Sequence, residues 1–134
     1  SGKELKSLSL STDFAQSLAF SPDSKKLATL SRSGKLMLWD VAAGTAEKTF
    51  EEGVALEGIA PASIAPSSLT FSKDGSKLAR ANATDVKIYK LADGSEGFAI
   101  TGLSGPLPVT MTGDGKTLVT GGADGKLRTW DIGQ

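Results

Sequence analysis

The sequence predicts an all-β fold assembled from three copies of one unit of short antiparallel strands. In each copy, an apolar residue is followed three positions later by an aspartate and seven positions later by a leucine, and an aromatic residue comes further along. A spacing that recurs at a fixed period is the signature of a repeat architecture. The apolar residues are Phe20, Phe71 and Met111, the aspartates Asp23, Asp74 and Asp114, the leucines Leu27, Leu78 and Leu118, and the aromatic residues Trp39, Tyr89 and Trp130.

Each copy has the pattern of three strands, a, b and c, joined by two turns. In the first copy, Leu18 and Phe20 alternate as strand a, and a Pro-Asp-Ser turn leads to strand b at Leu27. A second turn, which contains Gly34, precedes strand c, where apolar residues alternate up to Trp39. The other two copies repeat this order, so we expect three similar antiparallel sheets.

A fourth strand, d, follows each of the first two copies. The third copy ends before its own strand d, and a matching segment lies ahead of the first copy. Residues 44–50 and 94–100 each begin with glycine and end with an apolar residue, and residues 2–8 have the same spacing ahead of the first copy. The predicted order is therefore d, abc, d, abc, d, abc. The corresponding division is strand d in 1–10, a first unit in 11–50, a second unit in 51–100 with a long loop in 51–67, and strands a to c of a third unit in 101–134.

The composition excludes several classes of chemistry. Fifteen basic and fifteen acidic residues cancel, so no net charge attracts nucleic acid or an anionic membrane, and we expect neither as a partner. The chain has no cysteine and no histidine, which removes thiolate chemistry, the usual zinc ligands and the commonest general base. Nothing in the sequence assembles a catalytic, metal or cofactor site, and we predict a protein that is not an enzyme. The cellular compartment stays open.

The polar residues that recur in the repeats fit turns better than ligand sites. Gly121, Gly122 and Gly125 are not followed by the helix and the lysine of a phosphate-binding loop. We therefore expect them to form a turn whose backbone needs positive φ. The repeated aspartates, including Asp124, do not form a calcium-binding loop and are expected to cap backbone amides. Arg80 replaces the threonine of the other two copies, and it either points into a central channel or pairs with an acid.

These residues resemble the WD-repeat (WD40) family of β-propellers over essentially the whole chain. The resemblance depends on the dipeptides at Trp39-Asp40 and Trp130-Asp131, the turns SPDS and SKDG, and the segment GGADGKLRTWD. The second copy departs from the pattern, with Tyr89 in the aromatic position, and the family's histidine is absent throughout. The resemblance implies four-stranded blades arranged radially, with Trp39, Asp40, Tyr89, Trp130 and Asp131 as structural residues of the repeat.

Three blades do not close a ring, because propellers of this kind contain about four to eight. Strand d at the start of the chain can complete the last blade of a second copy, and we expect closure as a head-to-tail homo-oligomer. A homodimer of six blades is favoured, and a homotrimer of nine is the alternative. A fragment of a longer propeller remains the other interpretation. The residues assigned to this exchanged strand are Lys3, Glu4, Leu5, Lys6, Ser7 and Leu8.

The function that the resemblance implies is a protein-binding scaffold. Loop 51–67 is longer than its counterparts, with an acidic start at Glu51 and Glu52, and long loops on rigid scaffolds often bind partners. Its apolar residues can equally fold back on the ring or contact a neighbouring subunit. The rival function is a purely structural self-assembling module, designed or excised, with no partner. The candidate residues for binding a protein or peptide are Phe14, Arg32, Leu56, Ile59, Ile64 and Asp85.

Overall fold

The computed structural model describes residues 2–10, 13–52, 68–82, 85–103 and 108–133, and its strands form three antiparallel sheets. The strand order follows the chain order in each sheet. No helix in the described ranges is long and apolar enough to cross a membrane. The first sheet contains β1 (Ala15–Phe20), β2 (Lys26–Ser31), β3 (Leu36–Asp40) and β4 (Thr45–Glu51); the second contains β5 (Ser68–Phe71), β6 (Lys77–Ala81), β7 (Val86–Lys90) and β8 (Glu96–Ile100); the third contains β9 (Val109–Met111), β10 (Thr117–Gly121) and β11 (Leu127–Asp131).

The turn between the first two strands of each sheet has the same backbone conformation. Gly75 and Gly115 adopt φ values of 74° and 68° in the second and third sheets, where glycine avoids the steric cost of positive φ. Ser24 occupies the same position in the first sheet with φ 62°. The three turns therefore superpose in conformation although one of them lacks glycine.

The sheets pack face to face around their first strands. β1 contacts β5, and β5 contacts β9, so the three sheets radiate from a common inner region. One apolar cluster lies between the first and second sheets and includes Leu30, Leu36 and Leu78. A second cluster lies between the second and third sheets and includes Val86 and Leu118. Neighbouring sheets therefore share an apolar cluster, one for each pair of sheets.

The predicted all-β fold of propeller blades is confirmed, with strands a to c in all three sheets and strand d in two. The third sheet has three described strands, ordered β11-β10-β9. Residues 2–10 do not form a strand within this single chain. Glu51 ends strand β4 and does not begin a loop, and residues 53–67 lie outside the described part of the chain.

Candidate interaction surfaces

The aromatic residues of the repeat hold strands b and c together in the first and third sheets. Trp39 Nε1 donates to Thr29 Oγ1 at 2.9 Å, and Trp130 Nε1 donates to Thr120 Oγ1 at 3.0 Å. Both threonines are buried. A hydrogen bond of this kind contributes about 1 kcal/mol net, so part of the repeat's polar network persists without histidine.

The aspartates that follow the aromatic residues close the next turn. Asp40 Oδ1 accepts from the amide of Ala43 at 2.8 Å, and Asp131 Oδ1 accepts from the amide of Gly133 at 3.0 Å. The bond from Ala43, together with the charge of Lys26, lowers the pKa of Asp40 although partial desolvation opposes this. Both carboxylates therefore accept hydrogen bonds from the backbone of the turns that follow the strands.

The recurring turn aspartates cap backbone amides, as the sequence predicted. Each accepts from the amide two residues further along, at 3.0 Å or 3.1 Å. The hydroxyl of Ser72, followed by the amide and hydroxyl of Ser76, lowers the pKa of Asp74 to about 2. Asp74 is therefore ionised over the whole physiological range. The capping residues are Asp23, Asp74, Asp114 and Asp124.

The second sheet replaces the Trp–Thr bond with a partly buried ionic cluster centred on Arg80. Arg80 Nη2 donates to Glu51 Oε1 and Nη1 donates to Asp85 Oδ1, both at 2.7 Å, and the Tyr89 hydroxyl also donates to Glu51. The Arg80 side chain is 6% exposed, and its Nε has no partner among the described residues. Lys87 lies 3.7 Å from Glu51 at the edge of the cluster.

The cluster raises the pKa values of Arg80 and Tyr89. Burial opposes the charge of Arg80, but the bonds and charges of Glu51 and Asp85 outweigh it and raise the pKa of Arg80. Burial and then Glu51 raise the pKa of Tyr89, which stays protonated. Of the two interpretations of Arg80 from the sequence, the pairing with acids is the one observed. The carboxylate of Glu51 joins the first sheet to the second and is not free for a partner.

In the N-terminal segment, the side chain of Lys6 contacts the turn between β3 and β4 of the first sheet. Lys6 Nζ donates to the carbonyl of Ala42, and the side chain of Lys6 covers Gly44, where a Cβ would come within 2.7 Å of Cδ. In the same way, Lys48 of strand β4 donates to the carbonyl of Asp93 at 2.7 Å and covers Gly94 of the second sheet. Lys6 and Lys48 are equivalent in the alignment of residues 2–8 with 44–50.

The rest of this segment is largely free of the chain's own core. Leu5 is 89% exposed, whereas Leu8 is half-buried. The remaining members of the predicted exchanged strand are exposed, namely Lys3, Glu4 and Ser7.

The two outer faces of the stack expose apolar residues whose counterparts are buried elsewhere. Leu18 on β1 is 59% exposed, although Leu69, at the same register in the second sheet, is 9% exposed. At the other end, Leu127 on β11 is 79% exposed, whereas Leu36 and Val86 at the same register are fully buried. Each outer face therefore lacks the neighbour that covers it between the internal sheets.

The candidate partner-binding residues lie partly together. The amide of Arg32 donates to the carbonyl of Phe14 at 2.8 Å, which places both residues beside the turn between β2 and β3. The Phe14 ring is 63% exposed, and Arg32 is half-buried. Asp85 lies in the corresponding turn of the second sheet, with its carboxylate on Arg80. Leu56, Ile59 and Ile64 lie outside the described residues.

The sequence did not indicate that Glu51 anchors the ionic cluster. Its partner Arg80 is 29 residues away, on a different sheet. The available signal was a double departure in one unit, in which arginine replaces threonine at Arg80 and tyrosine replaces tryptophan at Tyr89. In the other two units, the tryptophan and threonine at these positions bond each other. Replacement of both in one unit indicates that a different set of hydrogen bonds takes their place.

Two four-stranded sheets and one three-stranded sheet, all antiparallel and packed through their first strands, define the chain as a repeat protein of the β-propeller class. The family model described as WD domain, G-beta repeat, matches residues 2–40 and 88–131, so the chain belongs to the WD40 repeat family. WD40 repeats are generally non-catalytic scaffolds for protein interactions.

A curated relative has a similar repeat region. U3 small nucleolar RNA-associated protein 12 of Saccharomyces cerevisiae is 31% identical over 117 residues, which is 87% of this chain but 12% of that protein. The chain thus spans about one eighth of the length of the relative that it matches.

Proposed function

We propose that this protein is a non-catalytic WD40 scaffold that assembles with copies of itself into a closed ring and presents its turns to a protein or peptide. In this arrangement, residues 1–10 of one copy add the fourth strand to the third sheet of another copy. Two copies would form six blades and three would form nine. The dimer is favoured because the usual range is about four to eight blades.

The position of Lys6 carries this proposal. Lys6 contacts the first sheet in the way that Lys48 contacts the second, which supports the proposal that residues 2–8 act as strand d of a preceding blade. Strand β11 offers the open edge that such a strand needs, because it pairs only with β10 among the described strands. An open edge and a displaced strand in one chain favour exchange between copies.

The outer faces support the same arrangement. When β11 of one copy lies before β1 of the next, Leu127 and Leu18 gain neighbours like those that bury Leu36 and Leu69. Covering both faces removes apolar area from water, which stabilises the contact by about 25 cal/mol per Å² of buried apolar area. Because the two faces differ, the contact is head-to-tail, and repeated head-to-tail contacts form a ring when the rotation closes.

The mass in solution tests the assembly. We expect light scattering to give two or three times 13.8 kDa, and Leu127→Glu to lower it to the mass of one chain, because the charge blocks the face contact. Ala123→Glu is the matched control, since it adds the same charge at an exposed turn residue and should leave the mass unchanged. A single-chain mass for the unaltered protein at every concentration would refute ring formation.

Partner binding is assigned to the turn face that contains Phe14 and Arg32. Exposed aromatic and arginine side chains are enriched among residues that dominate interface energetics. The exposed Phe14 ring beside Arg32 is the observation that favours a scaffold over a module whose only activity is self-assembly. Leu56, Ile59, Ile64 and Asp85 are proposed as further partner-binding residues.

Selection from a random peptide library on the immobilised ring tests this surface. We expect peptides enriched on the unaltered protein to lose at least tenfold in affinity for Phe14→Ala/Arg32→Glu, because truncating an interface anchor costs about 2 kcal/mol or more. Lys116→Glu is the control for charge reversal, since Lys116 is exposed in a turn between strands a and b. Enrichment of no peptide, with the ring intact, would favour the purely structural module.

A further inference from the structure

The groove between the second and third sheets is closed by a lysine. Lys77 Nζ donates to the carbonyls of Gly115 at 3.0 Å and Ile132 at 2.7 Å. Gly115 lies in the turn between β9 and β10, and Ile132 follows β11. One ammonium group of the second sheet therefore satisfies two backbone carbonyls of the third.

The groove between the first and second sheets lacks this closure. Lys26 is the counterpart of Lys77, since each begins its strand opposite the last residue of strand c. Lys26 instead donates to Glu47 and lies 3.8 Å from Asp40, both in its own sheet. The pairing of strands c and d has the same register shift in both sheets, and Gly97 in the second sheet takes the place of Glu47 in the first. Lys77 therefore has no acid at this position with which to form an ion pair.

The carbonyls that correspond to the acceptors of Lys77 belong to Gly75 and Leu91. The amide of Gly75 donates a hydrogen bond within its turn, as the amide of Gly115 does. The amide of Leu91 donates to the turn between strands a and b of its own sheet, as the amide of Ile132 does. No ammonium group bonds these two carbonyls within the described part of the chain. The first groove thus has the same pair of backbone carbonyls as the second groove, without the lysine that bonds them there.

An open cavity of about 650 Å³ occupies this first groove. Its volume lies within the range of ligand sites, about 300–1,000 Å³. Three carboxylates face two lysines, Lys26 and Lys73, and Lys26 is already paired. Apolar side chains line the remainder, so the cavity combines negative charge, backbone acceptors and an apolar wall. The residues used below are Asp23, Leu38, Glu47, Asp74, Gly75 and Leu91.

We infer that this cavity binds a primary ammonium group, presented as a lysine side chain by a partner protein. The ammonium takes the place that Lys77 Nζ occupies in the next groove, at the carbonyls of Gly75 and Leu91. Its aliphatic stem lies along Leu38 and Leu91, as lysine stems commonly cover apolar surface. Asp23 and Asp74 supply the negative field. The inference rests on the proposed scaffold function and adds a second contact for the partner.

A peptide titration followed by amide NMR tests the site. The probe is an acetylated and amidated pentapeptide with one central lysine, and the control peptide has norleucine instead. We expect saturable shifts at Gly75 and Leu91 but not at Gly115 and Ile132, and at least tenfold weaker binding of the norleucine peptide, because the charged hydrogen bonds are lost. Equal binding of both peptides would overturn the inference. Butylamine is the third arm, and binding as tight as that of the lysine peptide would overturn the assignment to a protein partner.

Substitutions at Glu47 and Lys26 separate the site from general charge effects. Glu47→Gly copies Gly97, so it should release Lys26 to bond Gly75 and Leu91 and reduce peptide binding at least tenfold. Lys26→Met in the same background should restore binding, since the competing ammonium is gone. Failure of the double variant to recover would contradict self-occupancy by Lys26.

The site can be tested whether or not the ring forms. Both sheets that form the cavity belong to one chain, so the titration is valid at any oligomeric mass. Loss of the ring with normal peptide binding refutes the assembly alone. Normal assembly without lysine-specific binding refutes the inference alone.

Discussion

Removal of residues 1–8 is expected to convert the assembled protein into single chains. The deletion leaves the edge of β11 without its proposed fourth strand and removes the contact of Lys6 with Ala42. A strand added to an open edge contributes a row of main-chain hydrogen bonds, and its loss removes most of the affinity between copies. We expect light scattering to report one chain at concentrations where the full chain is oligomeric.

Two controls accompany this deletion. Glu4→Gln changes one exposed side chain in the segment and should preserve the mass. A synthetic peptide of residues 1–10, added to the shortened protein, should restore assembly, whereas a scrambled peptide should not. An oligomer that survives the deletion unchanged would show that copies associate without exchange of this strand.

Loss of the Glu51 carboxylate is expected to destabilise the fold strongly. Glu51→Ala leaves the guanidinium of Arg80 buried with Asp85 alone, and it deprives the Tyr89 hydroxyl of its acceptor. Breaking a buried ion pair by removing one partner costs about 3–5 kcal/mol, and we expect the lower end of that range because Arg80 is buried whereas Glu51 is partly exposed. Whole domains have unfolding free energies of about 5–15 kcal/mol, so urea unfolding at fixed protein concentration should detect a large shift.

Matched variants distinguish this mechanism from a general loss of charge. Glu52→Ala removes an exposed neighbouring carboxylate and should change the unfolding free energy by less than about 0.5 kcal/mol. Arg80→Thr/Tyr89→Trp restores the pair found in the other sheets. In that background, Glu51→Ala should cost far less than it does alone. Equal costs in both backgrounds would mean that Glu51 acts independently of Arg80 and Tyr89.

The repeat spacing was sufficient to predict the strands and the turn caps because these depend on residues close in sequence. Asp74 caps an amide two residues away, and Leu18 and Phe20 alternate within one strand. For Arg80, the sequence left open a position in a central channel and a pairing with an acid, because nothing local to Arg80 showed whether its charge is buried.

Features that depend on packing between sheets could not be derived in this way. Glu51 reaches Arg80 across a sheet boundary, and no local pattern links them. The different bonds of Lys26 and Lys77 depend on whether glutamate or glycine occupies an irregularity in strand d. Such an irregularity shifts which side chain faces the groove, and an alternating apolar pattern does not report it.

The ionic cluster of Glu51 and Arg80 has a geometric consequence for assembly. It lies at the joint between the first and second sheets and so helps to set the angle between them. In a head-to-tail assembly, that angle accumulates from copy to copy, and whether it sums to a full turn decides between a closed ring and an open filament. In the proposed assembly, we therefore expect a weakened cluster to change the number of copies per ring or to yield open fibres.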